Sequence, residues 1–412
     1  MQPAKTHWPS IILLGVSAFG AFVLFMVAFA TGIISIVGLF DEFSDSAGSM
    51  ISGFASGFEM ILLGGCAWFI LQKAMSKAQA DQIIRFPFSP WQLFAIPAVV
   101  FFSISLGGLI AISEVKWLGW LTLPALTLLA VVLPILLFLG LGTNGIDLGP
   151  RWKAWSTLGI SLTVSPLAMI TIEIAAVLAV AIAAGIFIST RPSLMQELLD
   201  LAPYLEQETS EEGLVRLLAP YITSPTTIAL IFLLLSLIVP LIEELFKPLA
   251  VWVFARNINS PATGFALGML SGGAFALVES LNVSGNGSSA WFVIVGVRAG
   301  TGLLHMTTSG LMGFAIVQVF QEKRIGRFIS TYLAAVILHG LWNACAAGTA
   351  LATIGDYVGE PQWIWYLPAA LCGIAVLVAG LFAILIAANR KLRSTHTLSS
   401  VPGPGGNEEG VK

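Results

Sequence analysis

Charged side chains are scarce in this sequence, and their scarcity excludes a soluble globular protein. Only 10% of the 412 residues are charged, against about 25% in a typical soluble domain, and 57% are hydrophobic. The net charge is −3 at pH 7, and no basic face suggests a nucleic-acid partner. The composition therefore predicts an integral membrane protein.

Cysteine is also rare, which excludes a disulfide framework. The three cysteines, Cys66, Cys345 and Cys372, all lie in apolar runs, and no CxxC pair is present. We expect free, buried thiols.

Ten apolar runs are long enough to cross roughly 30 Å of hydrocarbon as α-helices. They are 11–40, 51–72, 90–113, 117–142, 156–189, 228–254, 262–284, 290–320, 328–350 and 363–388. The first run continues to Phe40, too far for a cleaved signal peptide, so we expect a retained helix. The run 156–189 predicts a tilted or protruding helix. The predicted fold class is an all-α polytopic transmembrane helix bundle of about ten spans.

The distribution of lysine and arginine predicts the orientation of the bundle. With both termini inside, fourteen of the 19 basic residues fall in inside segments, and only Lys116, Arg191 and Arg216 fall outside. Inside connections of membrane proteins are enriched in basic residues, so the N and C termini are predicted inside.

These features divide the chain into five parts. They are N-terminal transmembrane helices 1–5 over 1–189, an outer-surface amphipathic segment over 190–227, a charge-rich transmembrane core over 228–350, a final transmembrane helix over 351–393 and a disordered tail over 394–412. The acidic segment 190–227 predicts two short surface-packed helices, with capping of the membrane domain or guiding of a substrate as alternatives. The tail is polar and rich in glycine and proline.

Ionisable residues inside apolar runs are the main functional signal, because a charge at the bilayer centre costs about 2.5–3.5 kcal/mol on insertion scales. Five of the seven fall within residues 243–298, and two histidines, His305 and His339, follow closely. The seven are Glu59, Glu173, Glu243, Glu244, Lys247, Glu279 and Arg298.

The first of four motifs is EELFK at 243–247. Lys247 stands three and four residues after the two glutamates, spacings at which a helix brings carboxylate and ammonium together. We expect one glutamate to be neutralised while the other faces elsewhere. Pro240 and Pro248 bracket the motif and predict a bent helix. A structural ion pair is the alternative, but it leaves the second glutamate unpaired.

The second motif is FALVE, which ends at Glu279. Small residues at four-residue spacing precede and flank it, and such rows let helices approach closely. They are Gly264, Gly268, Gly272, Ala276 and Ser280. Glu279 lies within about 20° of Gly268 and Gly272 around a helix, so we expect it to face packed protein. A simple polar contact is the alternative.

The third and fourth motifs carry the histidines. His305 follows Arg298 by seven residues on nearly the same helix face, and His339 shares a face with Asn343 in HGLWN. Either histidine alone fits a satisfied core residue equally well, but two at matching depth beside three glutamates favour a site. Glu279 does not match this depth, because it lies roughly 9 Å outward of the centre of its span.

Together these motifs resemble those of the PrsW family of intramembrane proteases, which shares a superfamily with the type II CAAX-prenyl proteases. The matches are EExxK at 243–247, FxxxE at 275–279, Arg298 with His305, and HxxxN at 339–343. The CAAX-prenyl branch has EExxxR and a second motif ending in histidine, so Lys247 and Glu279 favour the PrsW branch. The resemblance covers about residues 225–350.

The resemblance implies hydrolysis of a peptide bond in or near the membrane, in a single-pass regulatory protein such as an anti-sigma factor. The implied location is a bacterial plasma membrane, and the implied partners are a membrane protein or peptide substrate and the lipid bilayer. Catalytic roles fall on Glu243, Glu244, Glu279, His305, His339 and Asn343, with Lys247 and Arg298 balancing charge. A glutamate would activate water, the histidines would hold it or shuttle a proton, and Asn343 would donate to the oxyanion.

Two mechanisms fit these residues. In one, a glutamate acts directly on water. In the other, His305, His339 and Glu243 hold a divalent metal ion, with zinc as the candidate. No HExxH helix is present, yet a cation would offset the excess of three glutamates over two basic residues.

A proton-coupled membrane transporter is the main alternative function. Buried glutamates and histidines also form proton relays, which Glu59 and Glu173 would extend. Against it, the sequence shows no paired broken helices or repeated halves, which are typical of carriers. A catalytically inactive scaffold for single-pass helices is a second alternative, disfavoured by the complete set of motif residues.

Overall fold

The computed structural model describes residues 7–41, 44–113, 115–285, 287 and 291–399. Within these ranges the chain forms helices and no strand, apart from one isolated bridge between Ile83 and Pro150. Ten helical segments are long and apolar enough to cross a membrane. The predicted all-α, ten-span class is confirmed.

The first four spans are single helices whose ends lie within a few residues of the predicted ones. They are α1 (Trp8–Gly38), α2 (Ser46–Ala74), α3 (Gln92–Ile112) and α4 (Lys116–Thr143). α1 packs along α2, and α2 and α4 pack on each other. Asp45 caps the start of α2 by accepting a hydrogen bond from the Gly48 amide.

The fifth span, predicted as one helix over 156–189, consists of two helices. α5 (Arg151–Leu162) and α6 (Val164–Ser189) meet at Thr163, whose φ of −125° and ψ of −72° are not helical. Pro166 explains the break, because its ring cannot donate a hydrogen bond and clashes with the carbonyl four residues earlier.

Two helices occupy the connection between the fifth and sixth spans, as the amphipathic pattern predicts. They are α7 (Pro192–Gln207) and α8 (Glu211–Ile222). The Tyr221 hydroxyl donates to Glu197 Oε1 at 3.0 Å and joins the two helices.

The sixth span is interrupted twice around the EELFK motif. α9 (Pro225–Leu233) continues through a π-helical turn at Leu234–Ile238 into α10 (Val239–Phe246). The chain leaves helical geometry at Pro248, with ψ of 26°, before α11 (Leu249–Phe254). The two prolines cause these irregularities, since each removes a backbone donor. The predicted bend is present.

The last four spans surround the motif residues. They are α12 (Pro261–Val283), α13 (Trp291–Glu322), α14 (Ile325–Ile354) and the final helix, α15 (Tyr366–Ser399), which follows a short 3-10 turn. α12 and α13 are largely buried, and α12 packs closely on α13. The final helix continues beyond residue 394, where the tail was predicted to begin, and residues 400–412 lie outside the described part of the chain.

Glycines set the closest helix contacts in this region. A Cβ added at Gly268 would lie 2.2 Å from Ser309 O, and one at Gly272 would lie 2.2 Å from His305 O. Real Cβ atoms do not come so near a backbone oxygen, so only glycine allows this approach. The small-residue row therefore brings the backbone of α12 directly against that of α13.

The cysteines are all free, as predicted, but only Cys66 is buried. Cys345 is half-buried and Cys372 is exposed on the surface of α15. The prediction of three buried thiols is wrong for these two, because an apolar run of a membrane protein has a face toward lipid as well as one toward protein.

Candidate active site

The fully buried ammonium of Lys247 lies at the centre of the charged cluster. Its Nζ lies 2.9 Å from Glu243 Oε2 and 2.8 Å from Glu244 Oε1. The expectation that one glutamate would face elsewhere is wrong. Both acids precede Lys247 by about one helical turn, so its flexible chain reaches between them. Both motif carboxylates are therefore neutralised by the same cation.

His305 on α13 is held between Lys247 and Glu279. Its Nδ1 lies 2.8 Å from Lys247 Nζ, and its Nε2 lies 2.9 Å from Glu279 Oε2. An ammonium can only donate, so Nδ1 accepts from it. Nε2 then carries the ring hydrogen and donates to the Glu279 carboxylate. The two contacts together fix the tautomer and the orientation of this imidazole.

His339 on α14 is also oriented by a carboxylate, but through its other ring nitrogen. Its Nδ1 lies 2.9 Å from Glu244 Oε1 and 3.3 Å from Lys247 Nζ. Because the ammonium has no lone pair, the carboxylate is the partner, and Nδ1 donates to it. The lone pair of Nε2 is thus free, 3.8 Å from Glu243 Oε2. The His305 and His339 rings lie edge to face, with centroids 5.3 Å apart.

Glu279 joins the cluster despite its outward position on α12. One carboxylate oxygen accepts from His305, and the other lies 2.8 Å from Arg298 Nη1. Its side chain is 29% exposed, so it faces packed protein only in part. Arg298 and His305, seven residues apart on one helix face, therefore bind the same carboxylate.

Phe275, the first residue of the second motif, contacts two members of the cluster. Its ring lies edge to face with His305 at 5.0 Å, and Lys247 Nζ lies 4.8 Å from the ring centre. Aromatic faces attract cations, and more strongly when water is excluded. The FxxxE spacing thus places an aromatic wall and a carboxylate on the same side of α12.

Among the described residues, the Asn343 side chain forms no hydrogen bond with the carboxylates or imidazoles of the cluster. Its Nδ2 donates to the Leu235 carbonyl at 2.9 Å, in the π-helical turn. Gly340, on the same face of α14, approaches that turn so closely that an added Cβ would lie 2.2 Å from Ser236 O. In this structure Asn343 joins α14 to the irregular span that carries Glu243.

Two further carboxylates in apolar runs lie outside the motifs, and they differ. Glu173 on α6 is half-buried, within range of the charges of Glu243, Lys247 and Glu279. Glu59 on α2 is 5% exposed. Oε1 of each lacks a hydrogen-bond partner among the described residues. The sequence motifs did not predict that Glu173 lies near the site. In the sequence, Glu173 is marked only by being an acidic residue within an apolar run.

The residues present fit a divalent cation. Glu243, His305 and His339 each offer one ligand atom, and these atoms all lie within 4.8 Å of one another. Two imidazoles and one carboxylate form a ligand set that catalytic zinc sites use. Each histidine is oriented by a carboxylate, as metal-ligating histidines are, and Glu244 Oε2 is buried without a partner among the described residues.

The family comparison agrees with this geometry. Residues 173–377 match the family model described as PrsW family intramembrane metalloprotease. The chain belongs to the PrsW family. The match covers about half of the chain and extends on both sides of the range 225–350 that the motifs indicate. It begins at Glu173 and contains every residue of the cluster.

The family assignment and the ten candidate spans together establish an integral membrane protein that belongs to a family of intramembrane proteases. The α1–α5 half lies before the matched range. No curated protein and no solved structure matches the chain.

Proposed function

We propose that this PrsW family member is an intramembrane endopeptidase whose active site is the cluster around Lys247. One observation carries the proposal: two histidines from different helices, each held by its own carboxylate, converge on the Glu243 side chain within the bundle. Ion pairs that only stabilise the fold do not require two histidines to meet at one carboxylate. Hydrolysis does require such an arrangement, because a base and the groups that orient water must lie together at the scissile bond.

Glu243 is the proposed general base. It is 8% exposed, whereas Glu244 is fully buried and is bound by both Lys247 and His339. Glu243 would take a proton from water as the water oxygen attacks the peptide carbonyl carbon. It would then return that proton to the amine as the C–N bond breaks. Glu244 would act as a positioning residue.

The two histidines have separate proposed roles. The free Nε2 of His339 would accept a hydrogen bond from the attacking water and orient it toward the carbonyl carbon. His305, fixed by Glu279 and Arg298, would hold Lys247 in place through Nδ1. Lys247, which contacts both motif glutamates, would offset their charge. The oxyanion role of Asn343 stays a prediction, because its amide donates to Leu235 O here.

The proposed metal ligands are Glu243, His305 and His339, with zinc as the proposed ion. A bound divalent ion would supply a water of lowered pKa and polarise the carbonyl. Lys247 Nζ lies 2.9 Å from Glu243 Oε2 and 2.8 Å from His305 Nδ1, two of the atoms that would hold the ion. The ammonium would therefore have to withdraw for the ion to bind, so the metal and direct-glutamate mechanisms differ in the expected effect of removing Lys247.

The proposed substrate is a single-pass membrane protein, such as an anti-sigma factor, in a bacterial plasma membrane. The proposed orientation has both termini inside, supported by the fourteen-to-three distribution of basic residues. Reporter fusions at residues 45 and 208 should then report the outside, and fusions at 79, 150 and 325 the inside. An inside signal at 208 would contradict that orientation.

The experiment that tests the function compares cells expressing wild type or Glu243→Gln in equal amounts. New peptide termini in membrane proteins are mapped by mass spectrometry. We expect termini within or beside single transmembrane segments in the wild type and none of them in the variant. Identical termini in both strains would reject the peptidase.

A further inference from the structure

An apolar cavity of about 380 Å³ lies between α2, α4, α5 and α12, away from the charged cluster. On α12 it is lined by Leu270, Gly273, Ala274 and Leu277. These residues lie on the helix face opposite the glycines that contact α13, at 100° per residue. The cavity is therefore separate from the proposed catalytic site.

The side chains that line the cavity are apolar except at one end. Among the described residues around the cavity, Arg85 is the only ionisable one. It lies in the exposed segment between α2 and α3, beside Ile84 and Phe86. Backbone hydrogen bonds from the Ile84 amide to Gly149 O at 3.0 Å and from the Leu148 amide to Ile84 O at 2.9 Å hold this segment in place.

The cavity extends along the helices from that end. Val132 and Leu139 on α4 both line it, and seven helical residues span about 10 Å. Arg85 follows Ile84, which is bonded to Leu148 just beyond the end of α4, whereas Val132 lies near the middle of α4. The space is thus an elongated apolar cavity with a cation at one end.

A second cation strengthens the positive charge there. The Arg151 amide donates to Gln82 O at 2.8 Å, and its guanidinium donates to the Gln82 side chain at 3.3 Å. The acid of this segment, Asp81, is bound by Lys73 at 2.8 Å.

Asp147, next to the lining residue Leu148, accepts a hydrogen bond from the Thr263 hydroxyl at 3.1 Å. With the nearby acids thus engaged, we expect the two arginines at this end of the cavity to favour an anion.

We propose that this cavity binds one acyl chain of an anionic phospholipid, whose phosphate pairs with Arg85. Water would find few hydrogen-bond partners in the apolar part, and an empty apolar space of this size is unfavourable. An acyl chain fills it with carbon, and guanidinium pairs well with phosphate. The bound chain would support α12 from the side opposite the catalytic cluster.

Trp155 offers a probe, because its ring lines the cavity and is stacked on Phe69 at 4.6 Å. The protein is reconstituted in phosphatidylcholine vesicles that contain a small fraction of lipid brominated on its acyl chains, which quenches nearby tryptophan. The signal from Trp155 is the difference between wild type and Trp155→Phe. Brominated phosphatidylglycerol is compared with brominated phosphatidylcholine at equal fractions.

We expect several-fold stronger quenching of Trp155 by the brominated phosphatidylglycerol. Arg85→Gln should abolish this preference, while Arg191→Gln, which changes an arginine distant in the chain, should retain it. Ala274→Leu, which fills the cavity, should reduce quenching by both lipids. Equal quenching by the two lipids in wild type would overturn the anionic site, and absence of quenching by either would overturn lipid binding altogether.

Discussion

Carboxylates in apolar runs have different partners in the two halves of this molecule. In the C-terminal half, Glu243, Glu244 and Glu279 each lie within 2.9 Å of a cationic nitrogen. In the N-terminal half, Glu59 is 5% exposed, and no lysine, arginine or histidine of the described residues forms an ion pair with it. An acid in an apolar run therefore does not define a site; convergence with cations and histidines from other helices does.

The two halves also differ in how tightly glycines bring their helices together. α1 and α2 pack closely along their length, and a Cβ added at Gly53 would lie 3.6 Å from Ala28 O, an ordinary contact distance. At Gly268 and Gly272 an added Cβ would lie only 2.2 Å from a carbonyl oxygen of α13. Close backbone contact excludes lipid and holds polar side chains at fixed distances, which a catalytic cluster requires.

The largest expected effect separates the two sets of carboxylates. Glu243→Gln should reduce peptide cleavage by roughly 10²–10⁴-fold, because the neutral amide cannot take a proton from water. The rate of product formation by reconstituted protein measures this. His339→Ala should cause a similar loss, while expression stays near wild type. If Glu243→Gln retained more than half of the wild-type activity, Glu243 would not be the general base.

A smaller effect tests the glycine contact. Gly272→Ala should cost about 1–3 kcal/mol in unfolding free energy and should also lower activity, since the added Cβ displaces the backbone of His305. Gly296→Ala on α13 is the matched control, because its added Cβ has no neighbour within 4 Å. Melting temperature and cleavage rate report the two effects. Equal behaviour of both variants would mean that the close approach is unimportant.

The third prediction distinguishes the two proposed mechanisms. Lys247→Met should tighten zinc binding if Glu243, His305 and His339 hold the ion, because the competing ammonium is gone. Competition with a chelating dye measures the affinity, and His305→Ala, which removes a ligand, should weaken binding. Zinc binding that is weak and unchanged in both variants would favour a glutamate acting directly on water.

The smallest expected effect is at Glu59. Glu59→Gln should leave the cleavage rate within about twofold of wild type and should preserve or raise the melting temperature, because a neutral amide is less costly to bury than a carboxylate. If Glu59→Gln lost as much cleavage activity as Glu243→Gln, carboxylates of both halves would be equally important for function. That result would favour a proton relay through both halves, and hence a transporter.

The sequence predicted the spans well because hydropathy reports which segments enter lipid. It did not predict the break at Thr163 or the π-helical turn at Leu234–Ile238. An interrupted span is as apolar as a continuous one. A proline indicates that the helix is irregular near it, but not at which residue the helix breaks. The exact register depends on how neighbouring helices pack.

The motifs identified the cluster but not its bonding. Spacing on one helix indicated that Lys247 meets a glutamate, but not that it meets both. Its contact with His305 depends on how α10 packs against α13. For the same reason, Asn343 was placed near the reaction by its spacing and is bound to Leu235 O instead. The proximity of Glu173 to the site depends on the packing of α6 against α10, which no local sequence pattern records.

The most direct test of the central claim is oxygen incorporation during cleavage. Reconstituted protein is incubated in H₂¹⁸O with a transmembrane segment identified as cleaved in cells, and the new carboxyl terminus is weighed by mass spectrometry. Hydrolysis at the Lys247 cluster predicts one ¹⁸O atom in that terminus with wild type and no product with Glu243→Gln. Equal labelled product from both proteins would contradict the account, because the cleavage would then not depend on this cluster.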